Sequence, residues 1–299
     1  MDKSLELLLQ TINGLQIGSI YALVALGYTM VYGIAKLINF AHGDIIMVGS
    51  YVALFSITLQ LQQMGVPLYL AMIPALLICA LFGVVIERIA YKPLRNSPRI
   101  SNLITAIGVS LFLQNLFMKL FGAGARPVPK IFPQPALSLG SVSIGVSTIV
   151  TICITAILTV LLQLFMRKTK YGKALIATSE DYGAASLVGI NVDTTMTLTF
   201  AIGSALAGVA SVLYLSSYPQ VEPLMGSMLG IKAFTAAVLG GIGLIPGAVL
   251  GGVILGVIES LTRAYLSSKL ADAIVFGVLI LVLLIKPTGL LGKNQREKV

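Results

Sequence analysis

Residues 145–166 read GVSTIVTICITAILTVLLQLFM, a run that contains no charged side chain. A helix rises about 1.5 Å per residue, and about 20 apolar residues suffice to cross the roughly 30 Å hydrocarbon core of a bilayer. Outward from this run, stretches of the same kind cover about 8–34, 44–61, 69–90, 102–121, 195–216, 228–245, 246–264 and 271–286. The stretches 228–245 and 246–264 are short, rich in glycine and separated only by Pro246, so one or both can be re-entrant. The chain therefore reads as an all-α polytopic membrane protein. A single transmembrane domain over residues 1–299 would hold eight or nine helices, including short, broken or re-entrant segments.

Composition agrees. The chain is 57% hydrophobic and only 10% charged, with a mean hydropathy of +0.97. A soluble domain carries about 25% charged residues, so lipid must replace the missing polar surface. The net charge of +9 would suggest nucleic acid in a soluble protein, but the basic residues sit in short loops beside spans and orient the chain instead. They fall after the third span (Arg88, Lys92, Arg95, Arg99), after the fifth (Arg167, Lys168, Lys170, Lys173) and in the tail (Lys286, Lys293, Arg296, Lys298). With nine crossings all three segments share one side, which predicts an outside N-terminus and a cytoplasmic C-terminus. Asp2 and Glu6 spoil the basic start of a secretory signal, so the first span is expected to be retained.

Cys79 and Cys153 each lie in an apolar run and read as small packing residues. No zinc-ligand spacing surrounds His42, and no metal site is expected. Residues 122–144, with four prolines, form an external connection that is not helical throughout. Small residues recur at helix-contact spacing in Gly14 and Gly18, Ser204 and Gly208, Gly247 and Gly251. Such faces let helices approach closely, within this chain or between subunits.

Three constellations could carry chemistry. The first is Asn39-Phe40-Ala41-His42-Gly43-Asp44, between two apolar stretches. Asn and Gly would interrupt the helix and leave Asp44 to cap the next one. A broken helix offers backbone dipoles near the membrane interior, suited to a zwitterionic solute. That makes Asn39, His42 and Asp44 candidates for a substrate pathway; a tight cytoplasmic turn with a capping Asp is the alternative. The second is the amphipathic loop 167–193, RKTKYGKALIATSEDYGAASLVGINVD, which glycines at 172, 183 and 189 would punctuate into short helices. With its acidic pair Glu180-Asp181 it could dock in a cleft of a soluble partner, or simply enforce topology. The third is residues 226–256, where nine glycines weaken helix by up to about 1 kcal/mol each and packing must compensate. Lys232 within it is expected to snorkel to the outer face.

No phosphate-binding loop is present, the nearest string, GLLGK at 289–293, having the wrong spacing. No catalytic motif appears either. Asp44 and Glu259, with Glu87 and Asp272 near span ends, form no evident ion relay in the sequence. An enzyme is not expected, and an ion-driven carrier lacks its usual signature.

The strings YGIAKLINFAHGDIIMVGSYVAL (32–54), GKALIATSEDYGAASLVGINVD (172–193) and AVLGGIGLIPGAVLGGVILGVIE (237–259) closely resemble the LivH-type permease of bacterial branched-chain amino acid ABC transporters. The resemblance runs through nearly the whole chain. It implies a permease in the bacterial inner membrane that binds no cofactor itself, paired with a LivM-like second permease. Two ATPase subunits would use the ATP, and an external solute-binding protein would supply the amino acid. The second string resembles a diverged form of the EAA loop that importer permeases present to their ATPases. It implies that Glu180, Asp181, Ala184, Ala185 and Gly189 form the coupling surface. A stand-alone channel or secondary carrier for a small polar solute is the alternative function.

Overall fold

An apolar helix in lipid gains nothing from hydrophobic burial, so closeness of backbone approach and internal polar contacts decide what lies inside a bundle. The computed structural model describes residues 3–292 except 62, 96, 133–136, 140 and 141. Its helices are α1 (Lys3–Ala35), α2 (His42–Ser56), α3 (Met72–Ile86), α4 (Arg99–Phe121), α5 (Val146–Lys168), α6 (Lys170–Glu180), α7 (Tyr182–Leu187), α8 (Val192–Ser217), α9 (Met225–Gly240), α10 (Ile245–Tyr265) and α11 (Ala271–Ile285). Among the described residues seven helical runs are long and apolar enough to span a membrane, and α9 and α11 are shorter apolar helices. The eight or nine helices expected from sequence are therefore present.

Short strands sit between helices. β1 (Arg126–Pro127) pairs antiparallel with β4 (Gln220–Val221), and β2 (Leu137–Leu139) with β3 (Val142–Ile144). The described part of the 122–144 connection is thus not helical. The basic tail residues Lys293, Arg296 and Lys298 lie outside the described residues.

α1, α2 and α8 are buried along most of their length, whereas α3, α4 and α5 turn most side chains outward. The outward stripe of α3, Ile73, Leu77, Leu81 and Val85, repeats every four residues and is wholly apolar. An apolar surface of this kind suits lipid and would be an aggregation hazard in water.

The glycine pairs act within the chain. A Cβ at Gly18 would lie 2.8 Å from the Gly252 carbonyl, and one at Gly14 2.6 Å from the Val257 Cα, so α1 and α10 meet backbone to backbone. Ser204 fills the space beside Gly83, and Gly208 packs on the Ala75 carbonyl. Cys79 is buried and its Sγ lies 3.5 Å from the Ile45 carbonyl. Cys153 is free and exposed.

Two expectations need correction. The short spans were drawn as 228–245 and 246–264, divided by Pro246. The helices are Met225–Gly240 and Ile245–Tyr265. The divider is a turn in which Gly241 and Gly243 take φ of +106° and +96°, values open to glycine and strained for other residues. Pro246 lies in the first turn of α10, where its missing N–H costs nothing. In the loop, side-chain caps rather than Gly172 and Gly183 delimit the helices. Thr169 caps α6, Asp181 caps α7, and Gly172 packs inside the first turn of α6. Gly189, at φ +85°, does end α7 as expected.

Candidate functional site

The interruption of the first helix is real. α1 stops at Ala35, Lys36 takes a left-handed φ of +55°, and α2 starts at His42. The His42 ring lies against Gly27, eight residues before the end of α1. The connecting segment therefore climbs back by about 12 Å, and α2 begins inside the bundle. Gly43 packs on Gly226 and Gly230 of α9, so the N-terminus of a second short helix meets that of α2.

Asp44 is buried in the first turn of α2. It caps no amide: residue 41 holds the N-cap position, and no side-chain cap bond is present there. The capping expectation is thereby overturned. Instead the Asp44 carboxylate accepts from Gln114 Nε2 of α4 at 3.0 Å. The same amide lies 3.0 Å from Ser110 Oγ and 2.9 Å from Ser227 Oγ of α9. Three helices thus hold one carboxylate with neutral groups, and among the described residues no ion pair includes it. Insertion of an acid at mid-membrane costs about 2.5–3.5 kcal/mol. A hydrogen bond to a charged group returns about 1.5–3 kcal/mol, and a helix N-terminus about 0.3–1 kcal/mol. Burial without a cation is therefore sustainable.

Asn39 and His42 occupy the same region in different ways. Asn39 Oδ1 accepts from the Tyr91 hydroxyl at 2.9 Å, while its Nδ2 has no partner among the described residues. His42 is buried edge-on to Tyr28, and among the described residues neither ring nitrogen has a hydrogen-bond partner.

The predicted coupling residues divide. Glu180, Ala184 and Gly189 are exposed, as are Leu187 and Val188 at 89% and 76%. Asp181 is exposed as well and accepts from the Ala184 amide, whereas Ala185 is buried and holds α7 in shape rather than presenting it. Tyr182 anchors the loop to the bundle by donating to the Ile34 carbonyl at 2.8 Å, and burial raises its phenol above the ordinary value. Ile34 is two residues before the left-handed Lys36. The loop therefore touches the chain at the point where the first helix breaks.

Two charge clusters escaped the sequence. Buried Glu87 accepts from Arg95 at 3.1 Å and from Thr197 at 2.9 Å. Arg95 also binds Asp193 at the start of α8, which Lys92 reaches at 2.7 Å. On the other side, Lys232 does not snorkel. Its Nζ lies 2.7 Å from Glu259 and 2.6 Å from Asp272, and Glu259 also holds Arg263 and the Tyr21 hydroxyl. The i,i+4 spacing of Glu259 and Arg263 was the one visible signal.

The described residues contain no group of three or more His, Cys, Asp or Glu able to hold a metal. The family described as Branched-chain amino acid transport system / permease component matches residues 10–284. The chain is similar to the high-affinity branched-chain amino acid transport system permease protein LivH of Escherichia coli (strain K12), 46% identical over the full chain and 99% of that protein. It is similar to the corresponding BraD of Pseudomonas aeruginosa, 45% identical over the full length of both. A probable LivH of Methanocaldococcus jannaschii is 33% identical over 93% of this chain and 90% of that one.

Proposed function

We propose that this chain, which belongs to the branched-chain amino acid transport system permease family, forms the translocation pathway of an importer for branched-chain amino acids. It is a multi-pass membrane protein and a transport subunit. The observation that carries the pathway is the Asp44–Gln114–Ser110–Ser227 cluster, where two helix N-termini and a polar helix face converge inside the bundle around a carboxylate that no cation pairs among the described residues. The first turn of α2 and the start of α9 offer a zwitterionic solute hydrogen-bonding groups beside the single Asp44 carboxylate.

Energy comes from outside the chain. Two ATPase subunits dock on the 167–193 loop, a second permease subunit of LivM type completes the pathway, and an external binding protein supplies the amino acid. The loop side is cytoplasmic, the N-terminus outside and the C-terminus inside, a reading supported by the basic loops. What supports docking is the exposed surface of the loop: Leu187 and Val188 at the end of α7 and Glu180 ahead of it are all exposed, and a soluble partner would cover them. ATP-driven closure of the ATPases would move α6 and α7 together. Tyr182 would pass that movement to the end of α1.

The first test is co-purification of the tagged chain in mild detergent. The wild type should bring down two ATPases and a second permease, and Glu180→Lys with Leu187→Asp should lose the ATPases while the chain stays folded. Both changes are at exposed positions, so loss reports docking rather than stability. Recovery of the chain alone, competent for flux in liposomes, would establish the stand-alone carrier instead.

The pathway has its own test. Asp44→Asn in the assembled importer should lower leucine uptake about tenfold, the effect of about 1.4 kcal/mol on a barrier, with subunit recovery unchanged. Wild-type uptake at wild-type expression would reduce Asp44 to a structural role.

A further inference from the structure

Loop 167–193 meets the broken helix at more than the Tyr182 contact. Its far end is the first turn of α8, where Asp193 sits half-exposed. Lys92 holds Asp193 at 2.7 Å, and so does Arg95. The other arm of the Arg95 guanidinium reaches Oε1 of buried Glu87 at 3.1 Å. Glu87 opens a widened π-type turn, Glu87–Tyr91, that continues α3, and Thr197 of α8 donates to its second oxygen at 2.9 Å. Turns of this kind are uncommon and cluster at functional sites. The last residue of the turn, Tyr91, is buried and donates to Asn39 Oδ1 at 2.9 Å. That is the one side-chain bond holding Asn39 among the described residues. Tyr182, Arg95, Glu87 and Tyr91 line one cavity of about 40 Å³ with Ala35 and Leu37. It has room for a water molecule, and for a ring or guanidinium to shift without overpacking.

We propose that Tyr91 and Arg95 are positioning residues that give the loop a second hold on the break, so that movement of the loop bends the segment between Ile34 and Asn39. The proposal rests on the permease reading above. Tyr182 grips the chain two residues before Lys36, whose backbone is left-handed. Tyr91 grips it three residues after. One contact could only carry the end of α1 along with the loop. Two contacts, one on each side of the left-handed residue, set the angle between α1 and the chain leading into α2, which begins with His42 and Asp44. Arg95 makes the second contact answer to the loop. Its planar fork spans Glu87, in the turn that carries Tyr91, and Asp193, at the end of the loop, so the two move together. Lys92 and Arg95 against Glu87 and Asp193 leave the link without net charge. Coupling of this kind travels through packed, hydrogen-bonded contacts.

The test is the number of leucines imported per ATP hydrolysed by the assembled importer in proteoliposomes with loaded binding protein. Tyr91→Phe removes one hydroxyl and keeps the ring. Arg95→Lys keeps a cation beside Glu87 but loses the fork. Each should lower that ratio about tenfold, the weight of one buried hydrogen bond, with subunit recovery, thermal midpoint and ATP hydrolysis unchanged. A merely structural role would move the midpoint and leave the ratio alone. Among the described residues Arg95 bonds to Glu87 and Asp193 and to no residue of the pathway. Its agreement with Tyr91→Phe therefore separates lost coupling from a damaged pathway. If Arg95→Lys does not fold, Asp193→Asn, at a half-exposed position, cuts the same tie and is read the same way. A Tyr182→Phe importer that loses the ratio while both new variants keep it would leave the loop a single hold on the break and overturn the proposal. So would a ratio unchanged in all three, or a fall confined to one of the two new variants; the permease reading would stand in each case. A wild-type complex that imports no leucine would instead refute the permease reading, and the second hold with it.

Discussion

Glu259→Ala should be the most destabilising single side-chain truncation in the chain, costing about 3–5 kcal/mol, the range for breaking a buried ion pair from one side. The Glu259 side chain is wholly buried and takes three donors: Lys232 at 2.7 Å, the Tyr21 hydroxyl at 2.6 Å, and Arg263. Its removal orphans Tyr21 and leaves Lys232 and Arg263 with Asp272 as the cluster's one carboxylate, a net positive charge where the cluster had been neutral. Lys232 would keep Asp272 at 2.6 Å, which places the effect toward the lower end. Asp272→Asn should cost far less, because that carboxylate is 43% exposed and water can replace it. The measurement is the apparent thermal midpoint in one detergent at one scan rate, since such unfolding is commonly irreversible. A Glu259→Ala protein that melts with the wild type would show that the cluster does not fasten α9 and α11 to α10.

This cluster marks the boundary of what the sequence makes legible. Span number, the break at Asn39–Asp44 and the interrupted loop are local properties: apolar run length, helix-breaking residues and amphipathic spacing carry them. Partners are not local. Lys232 and Glu259 are far apart in sequence, and only the antiparallel packing of α9 on α10 brings them together, so a lysine in an apolar run reads as snorkelling when considered by itself. Gln114 presents the same difficulty. One amide on a helix that turns most of its side chains outward carries no sequence signal until α4 settles beside Asp44 and Ser227. Asp44 was legible as a buried acid in a break, but not as an acid held from outside its own helix. In the loop, Ala185 and Asp181 fit the expected pattern while serving α7 itself; Leu187 and Val188, which stand exposed, lie beyond the acidic pair that drew attention.

Gly256→Val should prevent the bundle from closing. A Cβ at Gly256 would run into the amide nitrogen and Cα of Gly18 and lie 2.5 Å from the Gly14 carbonyl. All three are backbone atoms of α1, so no rotamer change can make room. Overpacking of this kind costs about 1–3 kcal/mol where side chains can yield, and more is expected where only a whole helix can move. In water, hydrophobic burial could hold the helices together across the fault; in lipid, close packing itself supplies much of the attraction. The added isopropyl group therefore removes both the fit and the force. Gly277→Ala on α11 is the matched control, since nothing lies within 4 Å of its Cβ position, and alanine there should even favour helix by up to about 1 kcal/mol. Size-exclusion profiles of fluorescently tagged variants separate the cases: Gly277→Ala should elute as the wild type does, and Gly256→Val should aggregate. A monodisperse Gly256→Val would mean that α1 and α10 can part without loss of the fold. The glycine content of α10 would then need another physical cause than the backbone contact on which the α1–α10 packing depends.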